Sequence, residues 1–391
     1  MFSLDNFYHI LYSNILRPAN FVYNYFYPFG TTAPNNCTIF TEDHDQFFGG
    51  SKPFCLAFDQ EPLFDFTLGD LQIKNSRLPY FNKHHNHLKL LANSEKSAYK
   101  TSFCRENNYA DWYYFFHGFA ALDWYRDSRH FDNDRLNSFN KLFMSLNRLV
   151  ETDRNYRLYL ISKVKQQGLL DKGIVSLHLK EDTVQKEINY EYSKLSTQGK
   201  KIINDQLLNH KPVIADVNHA VGWDSANYNR SSFLFNKSAL WHMVSETIFY
   251  YDKLHLTEKI FKPIVHKRPF ILVGAHGNLQ YLKNYGFQSF DKWIDESYDI
   301  ITNPDDRINF IVEELTKLSK LSDGQLKRMH LEMNEVLTFN FDHFFGNFKT
   351  IIMQELIINF QNCIKIWNNN TGFEQYKVNI DHCNFKSLLT I

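Results

Sequence analysis

Residues 241–277, WHMVSETIFYYDKLHLTEKIFKPIVHKRPFILVGAHG, decide the fold of this chain. Trp241 to Val244 is a short apolar run that stops at Ser245-Glu246-Thr247. Thr257-Glu258-Lys259 then opens an apolar helical pattern, and Pro269 to Val273 is a second compact apolar run. This order predicts a β-α-β unit, in which ligands bind beyond the carboxyl ends of the strands and anionic groups lie at the helix N-terminus.

Charged side chains lie where such a unit binds its ligand. Glu246 follows the first strand, and Glu258 and Lys259 lie in the first helical turn, after Thr257 as the N-cap. The Glu258 carboxylate can accept both vicinal hydroxyls of a ribose, and Lys259 can bind a phosphate as a point charge. The residues indicate a nucleotide-sugar site, but a surface helix with a Glu-Lys pair fits the spacing equally well. Pro263 predicts a kink in this helix.

The same stretch resembles the donor-binding signature of the fucosyltransferase family with the GT-B fold. That signature is a strand ending in Phe-Glu-Asn, a short loop, Thr-Glu-Lys opening a helix, and a second strand before a Gly. This chain has Glu246-Thr247 and then Leu256 to Pro263, LTEKIFKP. It departs from the signature in having Ser-Glu-Thr for Phe-Glu-Asn, and Arg268-Pro269-Phe270-Ile271 where the second strand begins. The resemblance covers the second half of the chain well and the first half only weakly.

The resemblance implies an α/β fold of GT-B architecture, with two Rossmann-like domains facing a central cleft and a helical C-terminal segment. We expect an acceptor-side domain over residues 1–130, a polar linker over 131–140, and a nucleotide-sugar-binding domain over 141–340. Residues 341–391 would pack back across the domains. The implied activity is inverting, metal-independent transfer of a fucose-like sugar to a glycan hydroxyl. The donor would be a nucleotide-sugar, with GDP-fucose or another GDP-sugar favoured, and no cofactor would be required.

The first half of the chain contains short apolar runs that each end in a polar cluster. Such runs predict the strands of a parallel sheet with functional loops along one edge. The runs are Cys37 to Thr41, Phe54 to Phe58, Leu88 to Leu91, and Tyr113 to Phe116.

The cluster Asp59-Gln60-Glu61-Pro62 follows the second of these runs. An inverting glycosyltransferase needs a carboxylate that takes the proton from the acceptor hydroxyl. Gln60-Glu61-Pro62 resembles the Glu-Ser-Pro loop of the fucosyltransferase family, which makes Glu61 the expected base and Asp59 the alternative. A purely structural role for Glu61, as a helix cap or a backbone acceptor, fits equally well. His117, after the fourth run, is a candidate contact for the acceptor or the donor phosphate, and a satisfied structural histidine is the alternative.

Arginines follow the first predicted strand of the second half, Leu142 to Ser145. A guanidinium can bond two phosphate oxygens at once. The fucosyltransferase family places an Asn-Arg pair and a further Arg beside the donor pyrophosphate. On that resemblance Arg148 and Arg154 are the donor-binding candidates, whereas we expect Arg157 to face solvent. Ordinary surface arginines remain the alternative.

Composition restricts the partners of this 391-residue chain. Lys+Arg and Asp+Glu are both 43, and a dedicated nucleic-acid binder is usually basic, so nucleic acid is a possible but not a favoured partner. The five cysteines include no CxxC pair, which favours a reducing compartment. With no apolar run of about 18 residues and no signal-peptide pattern, we expect no membrane span and a location in the cytoplasm of a bacterium or of a virus-infected cell.

Some sequence patterns resemble metal sites. Asp43-His44-Asp45 and Asp132-Asn133-Asp134 are D-x-D triplets, and the run His84-His85-Asn86-His87 contains clustered histidines. Triplets of this kind often arise by chance, and helical histidine ligands prefer i, i+4 spacing. We therefore predict no metal site.

Two other functions compete with transfer to a glycan. A viral enzyme that glycosylates modified DNA bases would share the fold but would need a basic groove. A nucleotide-binding or structural protein would keep the fold without catalysis. An enzyme requires Glu61, Arg148, Glu258 and Lys259 to converge on one cleft, and this requirement separates it from the non-catalytic protein.

Overall fold

The structure is a computed structural model that describes residues 2–25, 38–39, 53–63, 87–131, 139–180, 182–208 and 230–391. The chain divides into two compact units, which we call unit 1 (Met1–Asp123 with Lys349–Ile391) and unit 2 (Trp124–Phe348). Each unit is built on a parallel sheet with helices, so the predicted α/β class is confirmed. Both D-x-D triplets and the first three residues of the histidine run, 84–86, lie outside the described residues.

The sheet of unit 1 has the strand order β2-β1-β3-β4-β5, and each neighbouring pair is parallel. Its order reverses between β1 and β3, which is the position where doubly wound sheets bind ligands. The residues of β3 and β4 are all buried. Burial on both faces explains why β3 reads as an unbroken apolar run, whereas β4 begins at Lys89 and ends at Asn93. The strands are β1 Val22–Tyr25, β2 Thr38–Ile39, β3 Phe54–Ala57, β4 Lys89–Asn93 and β5 Ala110–Tyr113.

The sheet of unit 2 repeats this scheme with the order β7-β6-β8-β9, again parallel throughout. Here the order reverses between β6 and β8. The 241–277 stretch supplies β8 and β9, both completely buried. The strands are β6 Lys141–Asn147, β7 Gly173–Leu177, β8 Ala239–Ser245 and β9 Phe270–Val273.

Helices connect these strands and fill the C-terminal third of the chain. None of the described helices is long and apolar enough to cross a membrane. The α-helices are α1 Leu4–Ile10 (continued by a π-helical segment, Leu11–Leu16), α2 Ala98–Glu106, α3 Phe116–Trp124, α4 Tyr156–Gln166, α5 Thr183–Asn189, α6 Thr197–Leu207, α7 Arg230–Lys237, α8 Phe261–Val265, α9 Asn278–Asn284, α10 Pro304–Leu318, α11 Asp323–Glu332, α12 Asn334–Phe345, α13 Phe348–Asn370 and α14 Phe385–Leu389. The 3-10 turns are Arg126–His130, Thr152–Arg154, Leu170–Lys172, Glu258–Ile260, Ser297–Ile300 and Glu374–Tyr376.

The fourth predicted strand of the first half, Tyr113 to Phe116, is wrong in its position. The strand β5 ends at Tyr113, and Phe116 already begins α3. Residues of α3 from Phe116 to Leu122 are all buried, so its sequence shows no helical alternation of polar and apolar positions. An apolar run without periodicity does not distinguish a buried strand from a buried helix.

The predicted kink at Pro263 is also wrong, because the helix is too short to kink. The segment begins as the 3-10 turn Glu258–Ile260 and continues as the five-residue helix α8. Pro263 is the third residue of α8, where a backbone N–H would have no partner inside the helix. The helix ends soon afterwards, with Arg268 N bonded to Pro263 O at 2.9 Å.

The boundaries of the units differ from the predicted domain boundaries. Unit 2 begins at Trp124, ahead of the predicted linker 131–140, of which residues 132–138 are outside the described part. The C-terminal residues from Lys349 onward belong to unit 1. They join it through hydrogen bonds such as Trp112 Nε1 to Leu356 O (3.2 Å). Unit 1 is therefore made from both ends of the sequence.

A cluster of buried histidines lies around Arg268 in unit 2. The Arg268 guanidinium approaches His330 Nε2 at 3.2 Å, and the rings of His242 and His266 are 6.1 Å apart. Burial lowers the pKa of His242 and His266 to about 3 and that of His330 to about 4. The positive charge of Arg268 acts in the same direction on all of these histidines. These three histidines are therefore uncharged at neutral pH.

We predict that the free energy of unfolding of unit 2 falls as the pH is lowered from about 6.5 toward about 4. In that range the unfolded histidines bind protons and the folded ones do not, so acid favours the unfolded state. Each histidine contributes at most about 1.4 kcal/mol per pH unit to the slope of the unfolding free energy against pH. Urea unfolding at several pH values measures this slope. His330→Gln should make the slope smaller, and His130→Gln, at an exposed site in the same unit, should not. Equal slopes for the two variants would contradict the assignment.

Candidate functional site

The strands β6 and β8 are the two neighbours at which the strand order of this sheet reverses. On its other side β6 pairs with β7 up to Asn147, and β8 pairs with β9 up to Ser245. A crevice at a reversal of strand order is the usual ligand site of an open α/β sheet. We call this opening the switch crevice.

Glu246 is the first residue after β8 and is completely buried. Both carboxylate oxygens lie 3.2 Å from Thr257 N, and Oε2 accepts the Thr257 hydroxyl at 2.5 Å. Burial raises the pKa of Glu246, while the charge of Lys259 and the bonds from Thr257 oppose that rise. The carboxylate of Glu246 holds the start of the Thr257-Glu258-Lys259 turn in place, and its contact with the donor stays a prediction.

Glu258 and Lys259 form an ion pair on this turn. Lys259 Nζ lies 3.2 Å from Glu258 Oε1 and 3.2 Å from Thr257 Oγ1. The Lys259 side chain is 39% exposed, whereas that of Glu258 is 12% exposed. The Glu-Lys pair expected of a surface helix is therefore present. It leaves the ammonium partly open to solvent, next to the loop that follows β8.

The arginines after β6 occupy three different environments. Arg148 is exposed directly after the strand, and Arg154 is half-buried at the end of the turn Thr152–Arg154. Arg157 was expected to face solvent, but it is only 4% exposed. Its guanidinium is buried because the carbonyl groups at and beyond the ends of β6 and β8 need donors. Arg157 supplies those donors.

Aromatic and cationic side chains support the beginning of the loop after β8. Tyr156 donates its hydroxyl to Glu246 O at 2.5 Å and stacks on Phe249, with ring centroids 4.2 Å apart. The Arg307 guanidinium lies 4.2 Å from the centroid of the Phe249 ring and donates to Phe249 O at 2.5 Å. Burial lowers the pKa of Arg307 to about 10. Sequence reasoning missed Tyr156 and Arg307, because nothing in their spacing links them to the 241–277 stretch.

Two buried polar atoms at the switch crevice have no hydrogen-bond partner among the described residues. They are Asn147 Oδ1 and Ser245 Oγ. Continuing the register from Met144 and His242 sets Asn147 opposite Ser245. Unsatisfied buried polar atoms are rare in native proteins, so the floor of the crevice is suited to a polar group or a water molecule.

In unit 1, the loop after β3 carries the predicted base. The end of β4 holds this loop from the side. Asn93 Nδ2 donates to Phe58 O at 2.5 Å and to Glu61 O at 3.0 Å. Ser94 Oγ donates to Asp59 O at 2.7 Å. Glu61 itself is half-buried, so its backbone is fixed while its side chain keeps some access to solvent.

Glu95 fastens the far end of the same loop. It is completely buried, and its Oε2 accepts from Leu63 N at 2.6 Å. Its Oε1 accepts from the hydroxyl of Ser97, the N-cap residue of α2, at 2.5 Å. The carboxylate therefore ties the loop to the start of a helix. Sequence reasoning gave Glu95 no role at the site.

Asp59 and His117 support this loop from inside unit 1. Asp59 is completely buried, and its Oδ2 accepts from Tyr8 (2.7 Å) and Tyr114 (2.5 Å). Burial raises the pKa of Asp59, and those two hydrogen bonds oppose the rise. His117 is 7% exposed, with Nε2 2.9 Å from Gln60 O. The burial of Asp59 removes it from direct contact with an acceptor, and His117 lies in the first turn of α3 rather than in a loop.

No cluster of three or more His, Cys, Asp or Glu side chains with the geometry of a metal site occurs in the described ranges. Comparisons of the chain with protein families, with curated proteins and with solved structures found no match.

We predict that Thr257→Val lowers the free energy of unfolding by about 1–3 kcal/mol, because it leaves the buried Glu246 carboxylate short of a donor. Ser322→Ala, which removes the N-cap of α11, is the matched control and should cost about 1 kcal/mol. A double-mutant cycle of Thr257→Val with Glu246→Gln should give a coupling of at least about 0.5 kcal/mol. Additive effects would contradict the bond between the two side chains.

Proposed function

We propose that this protein is a glycosyltransferase of GT-B architecture. It transfers a sugar from a nucleoside-diphosphate donor to a glycan hydroxyl, with inversion and without a metal ion. A GDP-sugar, fucose-like, is the favoured donor, and no cofactor takes part. The proposal assigns the donor to unit 2 and the acceptor, with the catalytic base, to unit 1.

The observation that carries the proposal is the turn Thr257-Glu258-Lys259 beside the switch crevice. A buried carboxylate holds this turn, and the lysine remains partly exposed at the carboxyl edge of a parallel sheet. This edge is where α/β sheets bind nucleotides. The same residues carry the resemblance to the fucosyltransferase family.

The donor roles follow from the chemistry of each group. Glu258 is assigned to the ribose hydroxyls, for which Lys259 would have to turn from Glu258 toward the phosphate. Lys259, Arg148 and Arg154 are assigned to the diphosphate. When the bond between the anomeric carbon and the phosphate oxygen breaks, negative charge grows on the diphosphate, and nearby cations stabilise it. Glu246 positions this group of residues and is assigned to the donor close to its sugar or base.

The acceptor roles belong to the loop after β3. In the proposed reaction the oxygen of the acceptor hydroxyl bonds to the anomeric carbon while Glu61 takes the proton of that hydroxyl. The hydrogen bond that Asn93 donates to Glu61 O and the one that Glu95 accepts from Leu63 N support this role, since a catalytic group works best on a fixed backbone. Asp59 and His117 act behind the loop as positioning residues.

A cytoplasmic location completes the proposal. No disulfide joins the described cysteines, Cys55, Cys104, Cys363 and Cys383. A reducing compartment suits such a chain.

We predict that GDP raises the melting temperature of the purified protein, with or without EDTA. A ligand that binds only the folded state stabilises it by about 2.7 kcal/mol at a hundred times its Kd. UDP, CDP, ADP and dTDP provide the comparison. A shift with UDP alone would keep the glycosyltransferase and discard the GDP-sugar. No shift with any nucleotide would favour a non-catalytic protein.

We predict that Lys259→Ala weakens nucleoside-diphosphate binding by about tenfold or more, because a charge-assisted contact is worth roughly 1.5–3 kcal/mol. Calorimetric titration measures the change. Lys317→Ala removes an exposed lysine paired with Glu314 in the same unit and should leave the affinity unchanged. Equal affinities of Lys259→Ala and the wild-type protein would remove Lys259 from the donor site.

We predict that Glu61→Gln lowers the transfer rate by about 10²- to 10⁴-fold, the usual contribution of a general base. Nucleotide affinity should stay at the wild-type value, because Glu61 belongs to unit 1. Glu106→Gln, at an exposed position of α2, is the control and should transfer normally. Wild-type turnover by Glu61→Gln would exclude it as the base.

A further inference from the structure

Arg157 joins the loop after β6 to the end of β8 at the switch crevice. Its Nη1 donates to Leu149 O at 2.7 Å, on the loop that follows β6. Its Nη2 donates to Ser245 O at 3.0 Å and to Glu246 O at 2.9 Å, at the end of β8. One rigid guanidinium thus connects the two chain segments that leave the sheet at its reversal of strand order.

The acceptors of Arg157 are unusual for a buried arginine. They are backbone carbonyls and the Tyr156 hydroxyl, at 3.3 Å, and Arg157 forms no ion pair within the described part of the chain. A planar fork of five N–H donors can hold several carbonyl groups in a fixed arrangement, which a lysine ammonium cannot reproduce. The contacts suit a fixed spacing between two loops better than the neutralisation of a charge.

The bonded carbonyls are those from which the candidate donor loops begin. Leu149 lies between Arg148 and the turn that carries Arg154. Glu246 holds the turn with Glu258 and Lys259 through its carboxylate. The distance between the two sets of candidate phosphate ligands therefore depends on the Arg157 side chain.

We infer that Arg157 is a positioning residue: its guanidinium sets the distance between the loops after β6 and β8 at the switch crevice, so that both loops bind one nucleoside diphosphate. This role rests on the proposed function. It adds a residue that does not touch the ligand and that the sequence alone placed in solvent.

The test compares Arg157 with a second buried arginine of the same unit. Arg268 is also completely buried and donates to a backbone carbonyl, Lys237 O, at 2.6 Å. It precedes β9, at the amino end of the strand, away from the crevice. Arg157→Gln and Arg157→Lys are paired with Arg268→Gln and Arg268→Lys, and every variant is studied well below its melting temperature.

We expect both Arg157 variants to bind GDP, or whichever nucleoside diphosphate binds the wild-type protein, at least about tenfold more weakly. Misplacement of binding groups by about 1 Å can cost a hundredfold in rate. The Arg268 variants should lose melting temperature yet keep their affinity. Guanidinium ion at millimolar concentration should restore part of the affinity of Arg157→Ala, because it refills the vacated site. Wild-type affinity in the Arg157 variants, or an equal loss in the Arg268 variants, would overturn the inference.

Hydrogen exchange separates failure of this inference from failure of the proposed function. Without any ligand, Arg157→Gln should raise amide exchange in residues 148–152 and 246–257, and Arg268→Gln should not. If the wild-type protein binds no nucleotide, the proposed function fails, while the exchange pattern still tests whether Arg157 positions the two loops. Unchanged exchange in both loops would overturn that positioning role even in a protein that binds nucleotide.

Discussion

The hydrogen-bonding need of the carbonyl groups at and beyond the ends of β6 and β8 underlies the architecture of unit 2. The carbonyls of Leu149, Ser245 and Glu246 need donors from outside the sheet. Side chains from the first turn of α4, Tyr156 and Arg157, supply them. These bonds fix where the loop after β8 starts. Only then can the Glu246 carboxylate meet Thr257 and shape the turn that presents Lys259.

Unit 1 solves the corresponding problem with different groups. Its loop after β3 is held by an amide and a carboxylate, Asn93 and Glu95, from the end of the neighbouring strand. The two sheets are both parallel with one reversal of strand order, but the supporting residues differ in charge. Beside the switch crevice of unit 2 cations lie together with carboxylates, as in the pair of Lys259 with Glu258, whereas the carboxyl groups of Asp59, Glu61 and Glu95 lie on or around one loop of unit 1.

The sequence was sufficient for the positions of most strands, because short apolar runs that end in polar clusters mark buried parallel strands. It was insufficient where burial on all sides removes the alternation of polar and apolar residues, as in α3. It also could not separate Arg148 from Arg157. Both are arginines near a strand end, and only a contact distant in sequence, of α4 with the end of β8, determines which one is buried. Glu246 likewise looked like a ligand contact, since its partner Thr257 lies beyond an intervening loop.

The composition of unit 1 from both chain ends has a consequence for synthesis on the ribosome. Unit 2 is one continuous segment, so all of its residues are translated before Lys349 is added. The N-terminal strands of unit 1 must wait for α13, whose backbone carbonyl at Leu356 accepts from the Trp112 indole. Domains generally fold as units. The segment translated first therefore finishes folding last, and until then the indole of Trp112 lacks the helix that covers it in the folded unit.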